Sequence, residues 1–161
     1  MNTLTGDSAQ VMIKLVLRDL GFLAECPVSY EEVFQEITSN INSHFTGALA
    51  GIIEKEGSLN VGVNTLVDYA LACDGFIEDR EGNIVSYDVT TDDSVYTINH
   101  KYNVQDKIKF SKKRLGLGQH IIVILKSNKP YTALSLDDKY LVLDTLLDAV
   151  ENKDSEVYIS I

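Results

Sequence analysis

Proline and cysteine occur only twice each in this chain of 161 residues, and each scarcity removes a class of explanation. With so little proline and no Ser/Gly/Pro-rich stretch there is no linker composition, so residues 1–161 are expected to form one domain. Cys26 and Cys73 lie far apart and make no C-x-x-C pair, which argues against a zinc knuckle or a disulfide framework and fits a reducing compartment. No apolar run approaches about 20 residues, and the start, MNTLTGDSAQVMIKL, has neither an early positive charge nor a cleavage pattern. A cytoplasmic protein that does not engage the membrane is the expectation. Basic residues are also scarce at first: residues 1–100 hold Lys14, Arg18, Lys55 and Arg80 against sixteen acids. The remainder holds ten basic groups against eight acids, for a total of -10. That balance argues against direct binding of nucleic acid, which needs a basic face, and permits attraction to a basic protein partner.

What is present is enough to fold. Hydrophobic residues make up 45% of the chain and the mean hydropathy is -0.01. A chain of this length buries roughly two-thirds of its unfolded surface.

The carboxy-terminal stretch HIIVILKSNKPYTALSLDDKYLVLDTLLDAVENKDSEVYISI carries the clearest pattern. His120 to Leu125 is a β-branched run, and Val157 to Ile161 is a short alternating one. Between them Ser135 and Asp138 have capping-box spacing, so a helix is expected from Leu136, with Leu136, Tyr140, Leu143, Leu147 and Val150 on its apolar stripe. A strand, a helix and a strand in that order predict two parallel neighbours covered by the helix.

The amino-terminal half reads as helical. Thr5 or Asp7 caps a first helix that Gly21 closes, and Ser29 with Glu32 forms a capping box for a second bearing Val33, Phe34, Ile37 and Ile41. Small residues between Thr46 and Gly57 suggest a third, and Asn64 caps a fourth that Gly75 ends. After Gly75 the period changes to two. Phe76 to Glu78, Ile84 to Thr90 and Ser94 to Tyr102 are expected to form a short antiparallel meander, with Asp106 to Phe110 readable as strand or helical turn. The class is therefore α+β: a helical amino-terminal half, a mostly antiparallel sheet and a carboxy-terminal strand-helix-strand unit.

No motif names a reaction. The acidic stretch from Asp74 to Asp93 lacks the ligand spacing of a calcium loop. It offers Glu78, Asp79, Glu81, Asp88, Asp92 and Asp93 as a face for a basic partner. His44, His100 and His120 are scattered, so no metal site is expected, and no cofactor either. No G-x-S-x-G elbow exists. His100, flanked by Tyr96 and Tyr102 in the strand expected there, reads as a hydrogen-bonded histidine.

The one basic cluster, Lys107 to Arg114, runs into Gly116-Leu117-Gly118. Lys-Lys-Arg-Leu-Gly-Leu-Gly resembles the pyrophosphate-binding loop of the GNAT acetyltransferases. The resemblance implies that Lys113, Arg114, Gly116 and Gly118 would hold the phosphates of acetyl-CoA at a helix amino terminus. The function expected from the sequence is a non-catalytic interaction protein of the inhibitor, immunity or anti-defence type, using its acidic face. The alternative is a small transferase that uses the glycine loop.

Overall fold

The computed structural model describes residues 4–161. Four helices come first. Gly6–Leu20 (α1) starts where the Thr5 side chain accepts from the Ser8 N–H and stops at Gly21 in the left-handed region. Tyr30–Ser39 (α2) carries the expected capping box of Ser29 and Glu32. Ser43–Glu56 (α3) is capped by Asn42. Val63–Leu71 (α4) begins one residue before Asn64, at an amino-cap glycine, Gly62, that supplies no side-chain acceptor. It ends at Ala72, not at Gly75, with Ala72 taking the left-handed conformation.

A two-residue strand, Leu23–Ala24 (β1), lies between α1 and α2. Gly75–Glu78 (β2) and Ile84–Thr90 (β3) follow α4, then the helix Val95–Arg114 (α5), the strand His120–Lys126 (β4), the helix Leu136–Glu151 (α6) and the strand Glu156–Ser160 (β5). The sheet order is β1-β2-β3-β4-β5. The β1–β2 and β2–β3 pairs are antiparallel, and β3–β4 and β4–β5 are parallel. The α+β class stands on a mixed sheet, and the terminal strand-helix-strand unit is parallel as its order requires.

One expected strand is corrected. Ser94 to Tyr102 opens α5, with the Ser94 side chain accepting from the Thr97 N–H, and Asp106 to Phe110 continues the same helix. The meander instead takes β1 as its third member. His100 is accordingly an exposed helical residue.

Apolar side chains cover both faces of the sheet. On one face, Val85, Tyr87 and Val89 of β3 and Ile121, Val123 and Leu125 of β4 pack against α1 and α6. On the other, α2, α3 and α4 close over Phe76, with Ile108 of α5 and Leu117. The stripe of α6 is buried from Val142 onward, while Leu136 and Tyr140 at its start are exposed. Because side chains alternate along a strand, Ser86 and Asp88 of β3 point away from the α1–α6 core and toward α5. That polar row under a helix is what the site is built from.

Candidate functional site

Along α5, Lys101, Gln105, Ile108 and Lys112 recur at spacings of four, three and four, which places them on one helical face. This face lies over β3. The Lys101 Nζ donates to Asp88 Oδ2 at 2.7 Å, and both side chains are largely sheltered. Beside them stands Asp74, the residue just before β2. Its N–H donates to the Tyr87 carbonyl at 2.8 Å, and its Oδ2 accepts from the Val89 N–H at 2.7 Å. The Asp88 carboxyl lies close enough to that of Asp74 to disfavour a second negative charge there. Burial, followed by the Asp88 carboxyl, pushes the Asp74 carboxyl up to about 8. Asp68, on α4, is raised as well, by burial first and then by Asp88. Three carboxyl groups therefore share one region with one ammonium group in contact with it.

The polar row continues away from the carboxylates. The Lys112 Nζ is deeply buried and donates to Gln105 Oε1 at 2.7 Å, to Ser86 Oγ at 3.1 Å and to His120 Nδ1 at 3.2 Å. Three neutral acceptors thus meet the three protons of an ammonium. Burial lowers Lys112 from its ordinary value. Burial also holds His120 well below the usual imidazole range, with Lys112 and Lys101 adding to it. With Nδ1 accepting, His120 carries its proton on Nε2, which has no partner. Gln105 in turn donates to the Ala72 carbonyl at 3.2 Å, tying α5 to the end of α4.

Asp74 also borders an open cleft of about 440 Å³, whose walls include Lys14 of α1, Val63 and Asn64 of α4, and Tyr87. Since Gly62 provides no side-chain cap, the first N–H groups of α4 at this wall have no side-chain acceptor. Together with Lys14 they favour an anion at this wall, while Asp74 and Glu25 supply the acids of the lining.

The acidic residues singled out from the sequence are divided by the fold. Glu78, Asp79 and Glu81 lie at the β2–β3 turn, and Asp92 and Asp93 follow the far end of β3. The length of β3, seven residues at about 3.3 Å each, separates the two groups. Asp79 is buried and organises the turn, its Oδ1 accepting from the N–H groups of Glu81 at 2.9 Å and Asn83 at 2.8 Å. Asp92 accepts from the Ser94 N–H at 2.9 Å and holds the Thr97 hydroxyl at the start of α5. Asp88 is committed to the pair with Asp74 and Lys101. Glu78, Glu81 and Asp93 remain exposed.

The glycine loop sits at the carboxyl end of α5 and leads into β4. The N–H groups of three of its residues are spent on the last turn of the helix: Leu115 donates to Ser111 at 3.1 Å, Gly116 to Lys113 at 3.0 Å and Leu117 to Lys112 at 2.7 Å. Arg114 is held by Glu36 at 2.7 Å. A pyrophosphate loop needs N–H groups at the start of a helix, so the geometry that the GNAT resemblance implies for Lys113, Arg114, Gly116 and Gly118 is not formed here.

The Asp74–Asp88–Lys101 grouping was not picked out by motif. Its one signal in the sequence is a serine and an aspartate inside the otherwise apolar strand IVSYDVT. Among the described residues no group of three or more His, Cys, Asp or Glu side chains is placed to hold a metal ion. Comparison with known protein families, curated proteins and solved structures finds no match to this chain.

Proposed function

We propose that the protein is a divalent-cation-dependent hydrolase of small phosphate esters, acting where Asp74 and Asp88 meet. The arrangement that supports this most is two neighbouring, sheltered carboxyls, one of them raised by burial and by the other, with Lys101 donating to Asp88. Two neighbouring carboxyls that disfavour a second negative charge between them gain from a cation placed beside them. An all-oxygen set of this size suits magnesium or manganese, which are commonly held by one or two carboxylates, with water and substrate phosphate completing the shell. That mode of binding needs only two protein carboxylates and does not call for a group of three or more.

The cation would polarise the phosphoryl group and activate a water molecule. Water would attack phosphorus and release a proton to solvent, the ester P–O bond would break, and the leaving oxygen would take a proton from solvent. Lys101, which donates to Asp88 and is not among the residues lining the cleft, would offset negative charge building on a phosphoryl group brought up to the two carboxyls. Lys14 and the amino end of α4 hold further negative charge of the substrate across the cleft. The cleft volume of about 440 Å³ suits a nucleotide-sized molecule, and the total charge of -10 disfavours a long polyanion.

Calorimetric titration with Mn²⁺, run beside hydrolysis of bis(p-nitrophenyl) phosphate, tests the proposal. Binding and turnover are expected together in the parent and are expected to vanish together in Asp74→Asn and Asp88→Asn. A parent protein that binds no Mn²⁺ in the millimolar range overturns it. The second reading is the acidic interaction protein, which draws support from the exposure of Glu78 and Glu81 and from the acid excess of the first hundred residues. Reversing both charges is then expected to slow association with a basic partner at low salt; unchanged rates remove that reading.

A further inference from the structure

The outer edge of β5 is the longest unpaired strand edge among the described residues, since the sheet's other edge, β1, is two residues long. In the parallel ladder with β4, the Ile122 N–H donates to the Ser155 carbonyl and the Ile161 N–H donates to the Lys126 carbonyl. The odd-numbered residues of β5 therefore turn their backbone groups inward. By alternation, the N–H and C=O groups of Glu156, Tyr158 and Ser160 point out from the sheet. Edges of monomeric proteins are blocked by lysine, proline or a bulge. The strand EVYIS has neither lysine nor proline, and its one charge is Glu156.

The side chains add to this. Val157 and Ile159 pack into the α1–α6 core, whereas Tyr158 is 53% exposed on the opposite face. With Val95, Ile98 and Ile124 it lines an open groove of about 390 Å³. Val95 and its neighbour Tyr96 are 75% and 83% exposed, a high degree for large apolar side chains.

We propose that this edge pairs with the β5 edge of a second copy of the chain, antiparallel and centred on Tyr158. The sequence of the edge is self-complementary in that register. Tyr158 faces Tyr158, and Glu156 faces Ser160 at both ends, so no like charges are opposed. All three pairs are made by residues whose backbone groups point outward, so each pair exchanges two N–H···O bonds. The two-fold axis brings the Tyr158 rings together and sets the two grooves, which Asp93, Asn99 and Glu156 line as well, side by side. Five strand residues and a groove cover less than the roughly 800 Å² per partner of a standard interface, so the dimer is weak, in the micromolar range. Each copy carries a charge of -10, and salt is expected to tighten the association by screening the repulsion.

Sedimentation equilibrium of the full chain from low to several hundred micromolar, at low and moderate salt, reads the result. A monomer–dimer equilibrium that tightens with salt is expected. Tyr158→Pro removes an outward N–H and leaves the β4 ladder intact, so a folded monomer is expected. Tyr158→Lys sets two ammonium groups opposite one another and is expected to raise the dissociation constant about tenfold or more. Circular dichroism confirms folding of both variants, and should the proline variant fail to fold, the lysine variant decides. A parent that stays monomeric throughout, or a Tyr158→Lys protein that dimerises as tightly as the parent, overturns the proposal.

Discussion

The ring of Tyr87 occupies the space that a β-carbon on Gly75 would need, its hydroxyl lying 2.5 Å from that position and two ring carbons within 2.8 Å. The two residues are direct partners across the β2–β3 ladder, next to Asp74. Gly75→Ala is therefore expected to destabilise the protein by about 1–3 kcal/mol through overpacking. It should also displace Asp74. Urea denaturation measures the first effect, and loss of Mn²⁺ affinity at a pH where the variant is still folded measures the second. A variant as stable as the parent would show that the ring has room to move.

Stability should depend on pH through Asp74. The native state holds that proton more tightly than the unfolded chain, whose aspartates titrate near pH 4, so the contribution is complete below about pH 4 and is lost as pH rises through about 8. Asp74→Asn keeps the neutral form at every pH. It is expected to be more stable than the parent at pH 8.5, by on the order of 1–3 kcal/mol, and nearly equal to it at pH 4. Magnesium should restore the parent alone at high pH. Parallel pH dependences of stability for the two proteins across this range would contradict a raised Asp74 carboxyl.

Lys101 separates binding from turnover. Its ammonium and a metal ion compete for Asp88, so Lys101→Met is expected to keep or tighten Mn²⁺ binding. Turnover should fall by about a hundredfold or more, the size of a lost group that meets charge in the transition state. Unchanged hydrolysis in a variant that binds the metal would exclude Lys101 from the chemistry.

The burial profile of α6 gives a test of its phase. Leu143 is 2% exposed and Leu136 is 61% exposed. Leu143→Asp places an unpaired carboxylate in the core at a cost of several kcal/mol, comparable with the whole margin of a domain of this size. Leu136→Asp adds a charge to the first turn of a helix and is expected to leave the midpoint within about 0.5 kcal/mol. Equal thermal midpoints for the two variants would place the stripe elsewhere.

The carboxy-terminal unit was readable because local signals agreed: the Ser135–Asp138 box, an apolar period after it, and β-branched residues on both sides. The start of α5 was not, for a physical reason. The face that α5 turns to the sheet carries Lys101, Gln105 and Lys112, so the helix shows little apolar period, while Tyr96, Ile98 and Tyr102 happen to alternate as a strand would. Asp74 and Asp88 looked like surface charges because nothing local relates them. They meet only through the register that sets Gly75 beside Tyr87 and through a helix that covers them later in the chain.

That helix is also the connection between two parallel strands, which gives the candidate centre an order of assembly during synthesis. A nascent chain that has emerged as far as Thr90 contains both carboxylates and can form the β2–β3 hairpin, a local step of microseconds. Lys101 is fixed over them only when α5 has crossed the sheet and β4 has docked beside β3, a long-range closure that is intrinsically slower. The constellation of two acids and one ammonium therefore does not exist on the ribosome until the parallel half of the sheet has been made.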